Sequence, residues 1–223
     1  MRIYHGSKYI IEKPEYGKGK KNNDYGQGFY CTEDIDLARE WAVDKDRDGY
    51  VNSYDIESSS FKILRLNSPD FCVLHWITIL LNNRRFELES PVSREAFKYL
   101  SQNFMPDLTG VDIIIGYRAD DSYFSFAQDF VNGVISVSQL NKAMHMGNLG
   151  EQIFIRSRKA FSVIRYLGSE RVSASEWYDR KKVREHFARK EYGRLNKEVY
   201  VKGELYMIRI LDEEVRPDDP RLQ

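Results

Sequence analysis

The sequence predicts an α+β fold, because strand-like and helix-like segments follow one another without the regular strand–helix–strand alternation of a doubly wound sheet. Hydrophobic residues make up 42% and charged residues 30% of the chain, which is typical of globular domains. The 223 residues suit one domain with elaborations. No internal repeat or linker-like tract divides the sequence.

The first half is predicted to alternate short strands with helices. Residues 2–7 read as a strand that ends at the turn Gly6–Ser7, and residues 8–28 as a long ordered loop. Thr32 or Asp34 can cap a helix that ends near Ala42. A turn over 46–49 and two strands, over 50–56 and 61–66, follow.

The second half is predicted to begin with helices over 68–81 and, after Ser93, through 104. The apolar run 111–115 predicts a buried strand, and Gly133 separates two short helices. Residues 151–157 form another predicted strand, 158–168 a short helix or turn, and 175–200 a long charged helix before a ragged end.

Charge and cysteine content limit the classes of function. Lys+Arg and Asp+Glu both number 34, so a large nonspecific surface for polyanions is not expected. Cys31 and Cys72 have no metal-like spacing, and a reducing compartment is the default. The first residues contain no apolar core of a signal peptide, and the apolar run 71–81 is too short to span a bilayer. We therefore expect a soluble, cytoplasmic protein.

The candidate chemistry lies at three strand ends. The chain has no phosphate-binding loop, Rossmann glycine fingerprint, His-Glu-x-x-His or Cys-x-x-Cys motif, and its four histidines are dispersed, so we expect no metal site. The strand ends are 5–7, 29–32 and 151–154. Each alone is a weak signal, because a histidine at a strand end is often only hydrogen-bonded to its surroundings and a tyrosine is often only part of the core.

Four segments together resemble a known superfamily. The sequences "YHGS", "DYGQGFYCTEDIDLAREWA", "VDIIIGYRADD" and "EQIFIRSRKAFSVI" resemble an uncharacterised bacterial family within the ADP-ribosyltransferase superfamily. The resemblance covers residues 3–168, with a weaker echo in "DDPRL". It implies an ADP-ribosyltransferase-like split β-sheet with peripheral helices, in which a His, a Tyr and a third polar residue on separate strands clamp NAD.

The resemblance assigns roles to individual residues. It implies that His5 hydrogen-bonds the adenosine ribose and that the Gly6 backbone holds the nicotinamide carboxamide. Ser7 would contact that carboxamide or the nearby ribose, and Tyr30 would stack on the nicotinamide ring. Gly28 and Thr32 flank Tyr30 and are further expected NAD contacts.

The third clamp position falls at Gln152 or at its neighbour Glu151. Adjacent strand residues face opposite ways, so only one of them can reach the ligand, and Gln152 is preferred. Breaking the nicotinamide–ribose bond builds positive charge on the ribose, which a carboxylate would stabilise. Gln lacks that charge, which favours transfer of a single ADP-ribose, or a weaker activity, over chain elongation.

The resemblance implies an NAD-dependent mono-ADP-ribosyltransferase that needs no metal. Its acceptor would be a macromolecule, protein or nucleic acid, and its context a bacterial toxin–antitoxin or phage-defence system with a protein antitoxin. An NAD glycohydrolase and a catalytically weak module that binds NAD, ADP-ribose or a partner stay open as alternatives.

Several further expectations concern the surroundings of that site. Residues 1–170 are predicted to form the ADP-ribosyltransferase-like domain, and 171–223 a helical extension packed on it. Gly26 and Gly28 would let the loop close over a dinucleotide. Tyr30 would then face the cleft, Phe29 the core, and Trp41 the packing of its own helix. Asp120 and Asp121 are candidates for contacting the acceptor.

Overall fold

Two β-sheets and a set of helices form the α+β fold in the computed structural model, which describes residues 1–119, 121–145, 150–195, 197 and 200–222. The strands are β1 (Arg2–Ser7), β2 (Phe29–Cys31), β3 (Gly49–Asp55), β4 (Ile63–Arg65), β5 (Ile113–Tyr117), β6 (Glu151–Ile155) and β7 (Arg165–Val172). The helices are α1 (Ile35–Ala42), α2 (Val73–Asn83), α3 (Pro91–Asn103), α4 (Asp121–Val131), α5 (Val137–His145), α6 (Arg158–Ser162), α7 (Ala174–Leu195) and α8 (Met207–Asp212), followed by a short 3₁₀ turn, Pro220–Leu222.

The strands divide between a three-stranded and a four-stranded sheet. The first sheet has the order β1-β3-β7 and is antiparallel. The second has the order β2-β6-β5-β4, in which β4 and β5 run parallel and the other pairs antiparallel. The predicted α+β class is confirmed.

The two sheets meet where β1 passes β2. Tyr4 and Thr32 exchange two backbone hydrogen bonds, of 2.8 and 2.9 Å, in an antiparallel bridge. Within the described residues, β1 and β2 share no longer ladder, so they separate on the far side of this bridge, towards Ser7 and Phe29. That separation opens a cleft between the sheets.

The pleat of β2 and β6 decides which side chains face the cleft. Tyr30 lies opposite Phe154, so the two side chains are on the same face of the sheet. Gln152 is two positions before Phe154 in β6 and therefore lies on that face too. Phe29 and Cys31 point the other way, into a second apolar cluster. The strand pair thus places Tyr30 and Gln152 on one face and Phe29 and Cys31 on the other.

Helix α1 packs closely on β1 because Gly6 has no side chain. A Cβ at this position would lie 2.0 Å from the carbonyl oxygen of Ala38 and 2.7 Å from the amide nitrogen of Ala42. Asp34 begins the helix by accepting hydrogen bonds from the amides of Asp36 and Leu37. The approach brings α1 against the edge of the cleft.

The C-terminal residues share the main core of the chain. Tyr192 stacks on Phe126 with ring centroids 3.7 Å apart, and Ala188, Leu205 and Ile210 belong to the same buried cluster as α2 and α3. The predicted boundary at residue 170 falls inside β7, which pairs with β3. Whether the helices after it form a separate extension stays a prediction.

Some predicted boundaries were wrong for identifiable reasons. The helix expected from Ser68 begins at Val73, because the amide of Phe71 bonds to the Ser68 carbonyl in a turn and Cys72 takes the N-cap position. The helix or turn expected over 158–168 is a helix only over α6, and its last four residues belong to β7, because this exposed strand carries little apolar alternation. Helix α8 was not predicted. The turn expected at 46–49 lies at 44–47.

No helix in the described part of the chain has both the length and the apolar character that crossing a bilayer requires.

Replacing Gly6 by Ala is predicted to destabilise the fold by about 1–3 kcal/mol, because the new methyl group would overlap backbone atoms of α1. The matched control is Gly193→Ala in α7, where an added Cβ meets nothing within 4 Å and should stabilise the helix by about 0.5–1 kcal/mol. Urea unfolding of the two variants checks both signs. Equal stabilities would contradict the close packing of α1 on β1.

Candidate functional site

A cavity of about 770 Å³ opens where β1 and β2 separate. This volume lies within the range of about 300–1,000 Å³ typical of small-molecule sites. Residues from both sheets, α1, α7 and the loop 8–28 line it. Of the positions predicted as site residues, it brings together His5, Gly6, Ser7, Gly28, Tyr30 and Gln152.

His5 ties the two sheets together at the mouth of the split. Its Nδ1 lies 2.6 Å from the carbonyl oxygen of Tyr30, and because a carbonyl only accepts, Nδ1 carries the proton. The ring also lies 4.5 Å from that of Phe29, between centroids. Burial lowers the pKa of the His5 imidazole, which favours a neutral ring with Nε2 as an acceptor.

Tyr30 lines the cavity, and its hydroxyl fixes the loop. The hydroxyl donates to the carbonyl of Gly26 at 2.7 Å and accepts from the amide of Tyr25 at 3.0 Å. Burial raises the pKa of the Tyr30 phenol, so it stays neutral. Phe29 lies in the core as predicted, although its ring also forms part of the cavity wall.

Contacts and backbone conformation within the protein explain the two glycines before Tyr30. Gly28 passes so near Phe154 that a Cβ would lie 2.3 Å from its ring carbon Cε2. Gly26 has φ +92°, a left-handed conformation that glycine adopts without strain. They shape the cavity wall by letting the loop lie against β6; closure of the loop over a ligand stays a prediction.

Gln152 faces the cavity and Glu151 does not. Gln152 is buried, and its Nε2 donates to the Asp24 carboxylate at 2.8 Å and to the Tyr117 carbonyl at 3.1 Å. Glu151 is exposed on the opposite side of β6, where it accepts a hydrogen bond of 2.6 Å from Asn67. The preference for Gln152 over Glu151 agrees with this alternation, and Glu151 is not among the residues that line the cavity.

Thr32 and Ser7 have different outcomes. The Thr32 backbone forms the bridge to Tyr4, and its hydroxyl accepts from the amide of Asp34, the N-cap of α1. This buried residue does not line the cavity. Ser7 lines the cavity and donates its hydroxyl to the Tyr9 carbonyl at 2.5 Å. The expected NAD contact of Thr32 is therefore not supported by its position.

Asp24 is a site residue that no pattern in the sequence indicated. Only 6% of its surface is exposed, and its Oδ2 accepts from the Ala119 amide at 2.9 Å and from Gln152. Its Oδ1 lies 3.0 Å from Nη1 of Arg84. Burial raises the pKa of Asp24, while these donors and Arg118 act in the opposite direction. A lone aspartate in a polar loop carries no sequence signal for such a role.

The prediction that Trp41 serves only helix packing was wrong. Because α1 packs on Gly6, Trp41 lies next to the end of β1 and lines the cavity. The Arg118 guanidinium lies 4.9 Å from the Trp41 ring centroid, in cation–π geometry. Among the described residues, no hydrogen-bond acceptor serves the buried Nε1 of Trp41. Trp41 and Tyr30 are thus two aromatic walls of one cavity.

Positive charge dominates the cavity. Its lining includes seven basic side chains, Lys8, Lys13, Lys18, Lys20, Arg84, Arg118 and Lys181, and three acidic ones, Glu15, Asp24 and Glu185. Such a surplus favours an anionic ligand. The chain as a whole has no net charge, so this is a local feature.

The remaining candidates do not add to the site. Asp120 lies outside the described residues, and of Asp121 only the backbone at the start of α4 is described. Burial raises the pKa of the Cys31 thiol well above its ordinary value, which disfavours the thiolate. In the searched part of the chain, no cluster of His, Cys, Asp or Glu could hold a metal ion.

Comparisons with known proteins identify a family without a function. Residues 1–166 match the model of a family described as a protein of unknown function (DUF3990). No curated protein and no solved structure matches the chain.

Acid should destabilise the protein partly through His5. Its folded-state pKa lies below the unfolded value of about 6.5, so the contribution of the neutral ring is present above pH 6.5 and is lost as pH falls through the folded pKa. Below pH 6.5, the His5→Asn variant should lose stability less steeply than the wild type, by up to about 1.4 kcal/mol per pH unit. Urea unfolding between pH 7 and 5 measures the slopes, and parallel slopes would contradict a His5 ring held neutral in the folded state.

Removing only the Tyr30 hydroxyl should loosen the loop. Tyr30→Phe leaves the Tyr25 amide and the Gly26 carbonyl without their partner, at a cost of about 1–3 kcal/mol. Amide hydrogen exchange at Tyr25 should accelerate. Tyr16→Phe, at a ring that is 47% exposed, is the control. Unchanged exchange at Tyr25 would show that the hydroxyl does not hold the loop.

Proposed function

We propose, for a chain that belongs to the DUF3990 family of proteins of unknown function, that it is an NAD-dependent mono-ADP-ribosyltransferase. One observation carries the proposal: His5, Tyr30 and Gln152, from three strands of two sheets, line a single cavity at the split between those sheets. The separation of β1 from β2 next to one backbone bridge supports an ADP-ribosyltransferase-like split sheet as the finer fold class.

The properties of the cavity suit NAD. Its basic lining complements a diphosphate, and its volume accommodates a ligand of this size class. The backbone of Gly6 and the ring of Tyr30 would receive the carboxamide and the face of the nicotinamide, and Trp41 offers a second aromatic surface. His5, with its neutral ring, would present Nε2 to a ribose hydroxyl.

The reaction follows from these contacts. Stacking and backbone hydrogen bonds hold nicotinamide in a geometry from which it leaves as a neutral molecule. The ribose then acquires oxocarbenium character and is attacked by an acceptor group on a macromolecule, protein or nucleic acid. Gln152 at the third clamp position agrees with transfer of a single ADP-ribose. In a bacterial toxin–antitoxin or phage-defence setting, a protein antitoxin would restrain this activity.

A binding module is the second candidate function. The amide of Gln152 is already engaged by Asp24 and Tyr117, and an amide at this position brings no charge of its own. These facts favour a cavity that holds NAD or ADP-ribose without rapid turnover. An NAD glycohydrolase would use the same site with water as the acceptor.

Incubation with NAD labelled in its adenylate half, with and without cell lysate, distinguishes these functions. A transferase should label a macromolecule, a glycohydrolase should release only ADP-ribose, and a binding module should bind NAD without either product. Tyr30→Ala should reduce turnover at least about 100-fold, since it removes the stacking surface. Full turnover in Tyr30→Ala would contradict the site.

Comparing two adjacent substitutions tests which face of β6 acts. Gln152→Ala should reduce NAD turnover at least about tenfold, because it removes a side chain in the cavity wall. Glu151→Ala changes the neighbouring exposed side chain and serves as the matched control. A larger loss in Glu151→Ala than in Gln152→Ala would overturn the orientation of the clamp.

A further inference from the structure

A carboxylate speeds the cleavage of a nicotinamide–ribose bond that breaks through a cation-like transition state, because negative charge stabilises the developing oxocarbenium. Building on the proposed function, we propose that Asp24 is the catalytic carboxylate of this cavity and that Gln152 is the positioning residue that holds it.

The acidic residues that line the cavity differ in their surroundings. Glu15 lies on the exposed loop, with 66% of its side chain accessible. The Glu185 side chain on α7 is 15% accessible, and its carboxylate is paired with Nζ of Lys182 at 2.7 Å. Of these three residues, Asp24 alone is buried. It lies beside Gln152, on the face of β6 where Phe154 packs against Tyr30. A buried carboxylate acts through a lower dielectric than an exposed one.

The Asp24 carboxylate is fixed from both of its oxygens. Its Oδ2 accepts hydrogen bonds from the backbone amide of Ala119 and the side-chain amide of Gln152, and its Oδ1 accepts one from Arg84. Arg84 itself also contacts the ring of Phe124 and the Ala119 carbonyl, so the guanidinium has further anchors. These donors orient the carboxylate before any ligand arrives, which is the condition for electrostatic stabilisation without reorganisation.

The step that Asp24 assists is balanced as follows. The bond between ribose C1′ and the nicotinamide nitrogen breaks, and its electron pair leaves with the nitrogen, so the cationic ring becomes neutral nicotinamide. C1′ becomes electron-poor, and the Asp24 carboxylate stabilises it through space without forming a bond. A lone pair of the acceptor group then bonds to C1′, and the acceptor releases its proton to solvent.

An exchange of the charged and the amide group within the pair tests the proposal. Asp24→Asn keeps the size and one acceptor oxygen but removes the charge, and it should lower kcat for NAD at least about 100-fold with KM changed less than about threefold. The double variant Asp24→Asn/Gln152→Glu restores one carboxylate and one amide at exchanged positions, and it should recover at least about tenfold of that loss. Asp179→Asn, at an exposed position of α7, is the control.

Each result has a distinct meaning. Thermal unfolding confirms that the variants are folded at the assay temperature. A folded Asp24→Asn variant with kcat within threefold of the wild type, or with a change in KM alone, would overturn the catalytic role of Asp24, and so would a double variant that recovers nothing. A wild type that neither transfers ADP-ribose nor releases nicotinamide would instead overturn the proposed function itself, and the role of Asp24 with it.

Discussion

The cavity depends on the place where β1 and β2 stop pairing. Tyr4 and Thr32 form the last backbone bridge, and beyond it the Nδ1–H of His5 replaces the next strand-to-strand hydrogen bond by donating to the Tyr30 carbonyl. This side-chain contact satisfies a carbonyl that the separation would otherwise leave unpaired. The Tyr30 carbonyl therefore keeps a partner where the sheets diverge, and the resulting gap is the cavity.

A second constraint holds the loop that closes one wall. The Tyr30 hydroxyl binds the loop backbone at Tyr25 and Gly26. The carboxylate of Asp24 binds Gln152 of β6 and Arg84, the residue that follows α2. A loop without regular structure is thereby attached to both its neighbouring strand and the helical side. The same contacts that fix the loop also place the Asp24 carboxylate and the Tyr30 ring beside one cavity.

The sequence predicted the parts that follow from local pattern and alternation. Periodicity placed α1 and β6, and the pleat rule separated Gln152 from Glu151. The rest depends on contacts between distant residues: Asp24 meets Gln152 across 128 positions, and Trp41 reaches the cavity only because α1 rests on Gly6. Such juxtapositions leave no mark in a single sequence. The strand β7 was not predicted for a similar reason, because its pairing with β3, and not a pattern in its own residues, makes it a strand.

The central claim is that this cavity receives the nicotinamide end of NAD at the split between the sheets. A crystal structure with an NAD analogue whose nicotinamide–ribose bond resists cleavage tests it most directly. The nicotinamide ring is predicted to lie against Tyr30, with its carboxamide on the Gly6 backbone and its ribose within reach of Asp24 and Gln152. An analogue bound elsewhere on the protein, or in the cavity with its nicotinamide end away from Tyr30, would contradict the claim.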